Sequence, residues 1–123
     1  MTKTWLDFDM LARAGFPLVR HAAGEKVFVE GDDGSCMYVV HFGQVSITKH
    51  GMVLERVGPG GMFGEMALID GSPRSATAVV IEATEVAPID RGAFDHLVRR
   101  DPDFALRIMR LLVARLRQTN ANL

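Results

Sequence analysis

A mainly β fold of the α+β class is predicted by three observations. Short apolar or alternating runs fill the stretch from Leu18 to Asp90, and glycines cut them again and again. Lys49-His50-Gly51-Met52 reads as a tight hairpin turn. Helical spacing of apolar residues is confined to the two ends of the chain. The expected order is one helix near 5–14, an antiparallel β-roll near 17–90, and two helices near 91–100 and 102–119, within a single domain spanning 1–123.

Each element has a local reason. Trp5, Phe8, Leu11 and Ala12 recur at helical spacing, Thr4 suits an N-cap with Asp7 in the capping-box position, and Gly15 stops the helix. The expected strands are Val27–Val29, Met37–Val40, Val45–Thr48, Val53–Val57, Ala76–Ile81 and Val86–Ile89. Strands this closely spaced and joined by tight turns suggest an antiparallel sandwich or barrel. Asp90 is placed to cap a helix through Phe94, Leu97 and Val98. Asp101 and Pro102 then supply the N-cap and first turn of a second helix.

Composition narrows the function classes. The 123 residues are 48% hydrophobic and 24% charged, which is ordinary for a globular protein. A net charge of -1 lacks the basic excess of a nucleic-acid-binding domain, so direct contact with DNA or RNA is not expected. The single cysteine, Cys36, forms no internal disulfide and reads as a structural residue at a strand start. No apolar run approaches the roughly 20 residues needed to cross a membrane, and no signal-peptide pattern opens the chain, so a cytoplasmic protein is expected. His21, His41, His50 and His96 are scattered, and no metal site or cofactor is expected.

The chemistry concentrates in residues 58–78. Gly58-Pro59-Gly60-Gly61 leads to Met62-Phe63-Gly64 and then to Glu65–Ile69, a run of good helix formers. One turn of helix here aims unpaired amides and a positive dipole end outward, which suits an anion. Gly64 lets the anion approach the backbone. Arg74 offers a planar fork that matches phosphate oxygens, and Ser75 a hydroxyl donor. Glu65 repels an anion and needs another purpose, such as accepting from a sugar hydroxyl. On residue chemistry alone a plainer reading stands beside this one: Arg74 as a solvated surface residue, or as an exposed ion pair with Glu65 worth under about 1 kcal/mol.

Phe63-Gly64-Glu65-Met66-Ala67-Leu68, then Ile69-Asp70-Gly71-Ser72, then Pro73-Arg74-Ser75-Ala76-Thr77 closely resembles the phosphate-binding cassette of the cyclic nucleotide-binding domain family. Val27-Phe28-Val29-Glu30-Gly31-Asp32-Asp33-Gly34, Met37–Val40 and Gly43 match a second signature of that family, with Phe28 slightly larger than usual. The resemblance implies a β-roll of jelly-roll type (a double-stranded β-helix) and a cyclic nucleotide ligand. It implies that Gly64, Met66 and Ala67 offer backbone N–H groups to the phosphate, that Glu65 accepts from the ribose 2′-hydroxyl, and that Arg74 and Ser75 engage the phosphate. Ile47, Leu54 and Val57 lie where relatives place apolar residues against the base, though plain core is an equal reading for them. Relatives selective for cGMP often carry threonine where Ser75 stands, so cAMP is favoured over cGMP. Heme- and iron–sulfur-based regulators of the wider group lack the Glu and Arg pair that this chain has.

The last helix carries two apolar stripes, Leu106/Met109/Val113/Leu116 and Phe104/Ile108/Leu111/Leu112. A helix apolar on two sides needs two partners, and the second is expected to be the ligand or another subunit. In the catabolite activators of the family the matching helix dimerises, and a Thr-Ser pair near its end contacts adenine. Thr119-Asn120 falls at that place here. The resemblance therefore implies a regulatory sensor that reports to an effector outside this chain, with either the ligand or a second copy, as a homodimer, against the second stripe of the last helix. No metal cluster or activated nucleophile is in sight, so no enzyme is expected. The competing reading is a structural or protein-interaction domain that keeps the fold without using the ligand.

Overall fold

A computed structural model describes residues 16–121, with side chains through residue 118. The helix expected at 5–14 lies outside the described residues. Contacts divide the chain into two compact units at Arg91/Gly92.

The first unit holds eight strands: β1 (Val19–His21), β2 (Lys26–Phe28), β3 (Cys36–Phe42), β4 (Val45–Lys49), β5 (Met52–Val57), β6 (Met62–Phe63), β7 (Thr77–Val80) and β8 (Thr84–Asp90). They form two four-stranded sheets, ordered β1-β8-β3-β6 and β2-β7-β4-β5. Every pairing is antiparallel, and the whole is the jelly-roll β-roll.

The central core cluster shows why the sheets stack. Val40, Phe63 and Val86 come from one sheet, and Val45, Val57 and Ala78 from the other. Alternation along a strand sends every second side chain inward, as in β7, where Ala78 and Val80 are buried between the half-buried Thr77 and Val79. The expected hairpin joins β4 to β5, with Lys49 opposite Met52. His50 and Gly51 take φ of 52° and 76°. Positive φ at both loop residues is what a two-residue type I′ turn requires.

The second unit is helical. One helix, α2, runs from Arg91 to Arg100, and α3 from Pro102 to Ala121; a short earlier helix, α1 (Glu65–Asp70), belongs to the first unit. Asp101 ends α2 and starts α3. Its N–H donates to Leu97 O at 2.8 Å, and its carboxylate accepts from Asp103 N–H at 3.1 Å. Phe94 and Phe104 meet edge to face across that corner at 5.5 Å. On α3, Phe104, Ile108 and Leu111 are buried, whereas Leu106, Met109, Val113 and Leu116 are 42–61% exposed. The two stripes thus have different fates. No helix among the described residues is long and apolar enough to cross a membrane.

Candidate functional site

The cassette hangs between β6 and β7 and is tied to β3 at its approach. Gly60 N–H donates to Val40 O at 2.8 Å, and Val40 N–H donates to Gly61 O at 2.9 Å. After β6 the chain turns at Gly64, whose φ of 79° lies in the left-handed region open to glycine. There α1 begins. No side chain caps it, so its first amides keep their capacity for an anion. Gly71, at φ 72°, closes the other end by donating to Ala67 O at 2.9 Å. Asp70 accepts from the backbone and hydroxyl of Ser72, and these bonds hold its carboxyl below the usual carboxylate range.

Arg74 is clamped by its backbone to the loop after β2. Its N–H donates to Asp32 O at 2.8 Å, and its carbonyl accepts from Gly31 N–H at 2.8 Å. Its side chain is only 5% exposed. Nη1 donates to Gly64 O at 2.9 Å and Nη2 to Cys36 O at 2.7 Å. The guanidinium carbon sits 4.1 Å from the centre of the Phe28 ring. Nε is buried with no hydrogen-bond partner. A buried donor left unsatisfied costs roughly 1–3 kcal/mol, so such a donor asks for an explanation. Glu65, 2% exposed, lies at the first position of α1.

The structure therefore brings Gly64, Glu65, Ala67 and Arg74 together. Ala67 is buried, Met66 at the same helix start is half open to solvent, and Ser75 is exposed beside Arg74. The other residues do not converge in the same way. Val57 belongs to the sandwich core and Ile47 packs against it, while Leu54 on β5 is 56% exposed. Thr119 and Asn120 fall within the backbone of α3, and their side chains lie outside those described. Cys36 opens β3, as expected, and contributes its carbonyl to Arg74.

Reading the sequence missed the housing of Arg74. Phe28, Gly34 and Tyr38 belong to the second signature and Cys36 falls in the gap inside it; the signature marks the family without assigning these residues to Arg74. A Cβ on Gly34 would lie 2.3 Å from Arg74 Nε, and one on Gly64 would lie 2.8 Å from Nη1. Burial raises the pKa of the Tyr38 phenol, so it stays protonated at neutral pH. Among the described residues no group of three or more His, Cys, Asp or Glu stands together as a metal site would need.

The sequence profile of the cyclic nucleotide-binding domain matches residues 18–101. The chain is 36% identical over 118 residues to a cyclic AMP receptor protein of Thermus thermophilus, which covers 92% of this chain and 55% of that protein. The crystal structure of Thermus thermophilus catabolite activator protein matches with a TM-score of 0.82 at 36% identity, over 93% of this chain and 56% of that one. The regulatory domain of Toxoplasma gondii PKA, solved with cAMP, matches with a TM-score of 0.63 at 33% identity, over 74% of this chain and 37% of that one. The chain spans about half the length of the curated relatives it matches.

Proposed function

Since the chain belongs to the cyclic nucleotide-binding domain family, we propose that it is a regulatory sensor that binds cAMP in preference to cGMP and catalyses no reaction on it. The observation that carries this reading is Arg74: a buried cation with an unpartnered Nε, beside the uncapped start of α1. A cyclic phosphate fits both. It accepts from the guanidinium and from the amides of Gly64, Met66 and Ala67, with Ser75 as a further donor. Glu65 accepts from the ribose 2′-hydroxyl, a contact that separates a nucleotide from a bare phosphate. The cAMP preference draws on Ser75 and on the cAMP named for the relatives.

The ligand acts on signalling only if it binds one arrangement of the protein better than another. The exposed stripe Leu106/Met109/Val113/Leu116 on α3 supports a homodimer, because its spacing is that of a coiled-coil seam. An effector then reads the arrangement of that helix.

Titration calorimetry with cAMP and cGMP tests the reading. Binding at micromolar concentrations, tighter for cAMP, is expected, and no AMP should form on incubation. Arg74→Ala should weaken cAMP binding by about 2–4 kcal/mol, the loss of a charge-assisted contact and of preorganisation. No heat and no thermal shift at millimolar cyclic nucleotide refutes the proposal and leaves the interaction-domain reading.

A further inference from the structure

What holds the Arg74 guanidinium decides how it meets an anion. Its central carbon lies over the Phe28 ring, 4.1 Å from the ring centre, and 5.7 Å from that of Tyr38. Tyr38 stacks on Phe63 at 5.2 Å, and Phe28 tilts against both at 6.0 and 5.9 Å. Phe28 ends β2 in one sheet, while Tyr38 and Phe63 lie on β3 and β6 of the other. The seat therefore inherits much of its position from the packed sandwich. Gly34, without a side chain, leaves the room in which the guanidinium lies. Both amino groups are tethered to carbonyls, Gly64 O and Cys36 O. With its central carbon over a ring and two corners bound, the guanidinium keeps one orientation.

We propose that Phe28 is a positioning residue for anion recognition: its ring holds the Arg74 guanidinium in the orientation that a cyclic phosphate meets. The proposal rests on Arg74 being the phosphate contact. A desolvated cation over an aromatic face gains from the ring quadrupole, and leucine, apolar but smaller, does not supply that face. Leucine frees the side chain to sample other rotamers, and ordering it again on binding weakens affinity.

The test pairs cAMP calorimetry with the arginine Nε–H region of a 15N-correlated NMR spectrum, for wild type, Phe28→Leu, Phe28→Trp and Arg74→Lys. Arg74→Lys identifies the Arg74 signal by its loss. In wild type that signal should stand upfield of the other arginines through the Phe28 ring current. It should move when cAMP is added. Phe28→Leu should abolish the upfield position and weaken cAMP binding about 2- to 30-fold. Phe28→Trp, which keeps a ring, should restore both. If Phe28→Leu unfolds, the wild-type spectrum still decides, since an Arg74 signal at the ordinary arginine position overturns the proposal. Weakened binding in Phe28→Leu that Phe28→Trp does not restore also overturns it, because it marks a packing effect. Wild-type binding that Arg74→Lys weakens and Phe28→Leu does not refutes the positioning role alone. Wild type that binds no cyclic nucleotide refutes the functional reading and this proposal with it.

Discussion

Gly34→Ala is the substitution that most directly tests whether the housing of Arg74 matters. The added Cβ would stand 2.3 Å from Nε, 2.5 Å from Cζ and 2.8 Å from Nη2, where ordinary contact begins near 3.4 Å. The guanidinium must therefore retreat by about 1 Å. A retreat of that size stretches its bonds to Cys36 O and Gly64 O, now 2.7 and 2.9 Å, to about 3.7 Å or beyond, where they no longer count. A misplaced charge-assisted phosphate contact loses roughly 1.5–3 kcal/mol, or about 10- to 150-fold in cAMP affinity. Gly34 is not in the left-handed region, so the alanine backbone is unstrained and the roughly 0.4–1 kcal/mol of unfolded-state entropy offsets only part of the cost of displacing Arg74. The expected signature is a large loss of affinity together with a lowered unfolding midpoint, because two hydrogen bonds of a buried cation are lost with it. Gly51→Ala serves as the opposite control. Its φ of 76° makes alanine cost about 1–2 kcal/mol of stability, while open space around it leaves affinity unchanged. Calorimetry and urea unfolding on both variants decide the matter. Wild-type affinity in Gly34→Ala, or equal losses in the two variants, would show that Arg74 does not depend on this fit.

Three further expectations concern other parts of the molecule. Glu65→Gln should weaken cAMP binding by about tenfold or more, as loss of a hydrogen bond to a charged acceptor does, yet leave the affinity of 2′-deoxy-cAMP unchanged; equal losses for both ligands would remove Glu65 from the ribose. Glu85, buried on β8, contacts His41 Nδ1 at 2.7 Å and Arg20 Nε at 3.0 Å. The His41 hydrogen bond first, and then Arg20, hold its carboxyl below the ordinary value of 4.5, against the opposing effect of burial. Folding thus favours the ionised form, whose contribution is complete above pH 4.5 and is lost as pH falls through the lower folded value. Urea unfolding between pH 6 and pH 3 should show a shallower acid slope for Glu85→Gln than for wild type, and identical slopes would contradict the assignment. On α3, Met109→Glu with Leu116→Glu should turn a sedimenting dimer into a monomer, because both side chains are more than half exposed on the unburied stripe; a wild-type monomer at the same concentration would remove that stripe from self-association.

The strands of five to seven residues were readable from alternation, and so was the hairpin at His50-Gly51. β2, only three residues long, was readable from the β-branched and aromatic run Val27-Phe28-Val29, whereas β1 (Val19–His21) and β6 (Met62–Phe63) offer no such run. Asp101-Pro102 announced the break between α2 and α3, since capping is settled within a few residues of chain. The division of the α3 stripes into buried and exposed was not readable, because both are apolar and only packing tells them apart. The three apolar residues proposed against the base show the same limit. Alternation marks Ile47, Leu54 and Val57 as strand residues, but only the stacked sheets reveal that Val57 is core and Leu54 open to solvent.

By itself the sequence determined the parts whose physics is local: the glycine-flanked helix start at Gly64-Glu65, the cation at Arg74 and the turn chemistry between strands. Tertiary structure decided how those parts are arranged. Arg74 as a residue type fits a solvated surface as well as an anion site. Its burial against Phe28, with carbonyls of Gly64 and Cys36 on two corners, joins chain positions 10 and 38 residues away. Contacts between sheets leave no periodic mark in either strand, and so the orientation of the one cation that the cassette supplies is a property of the sandwich.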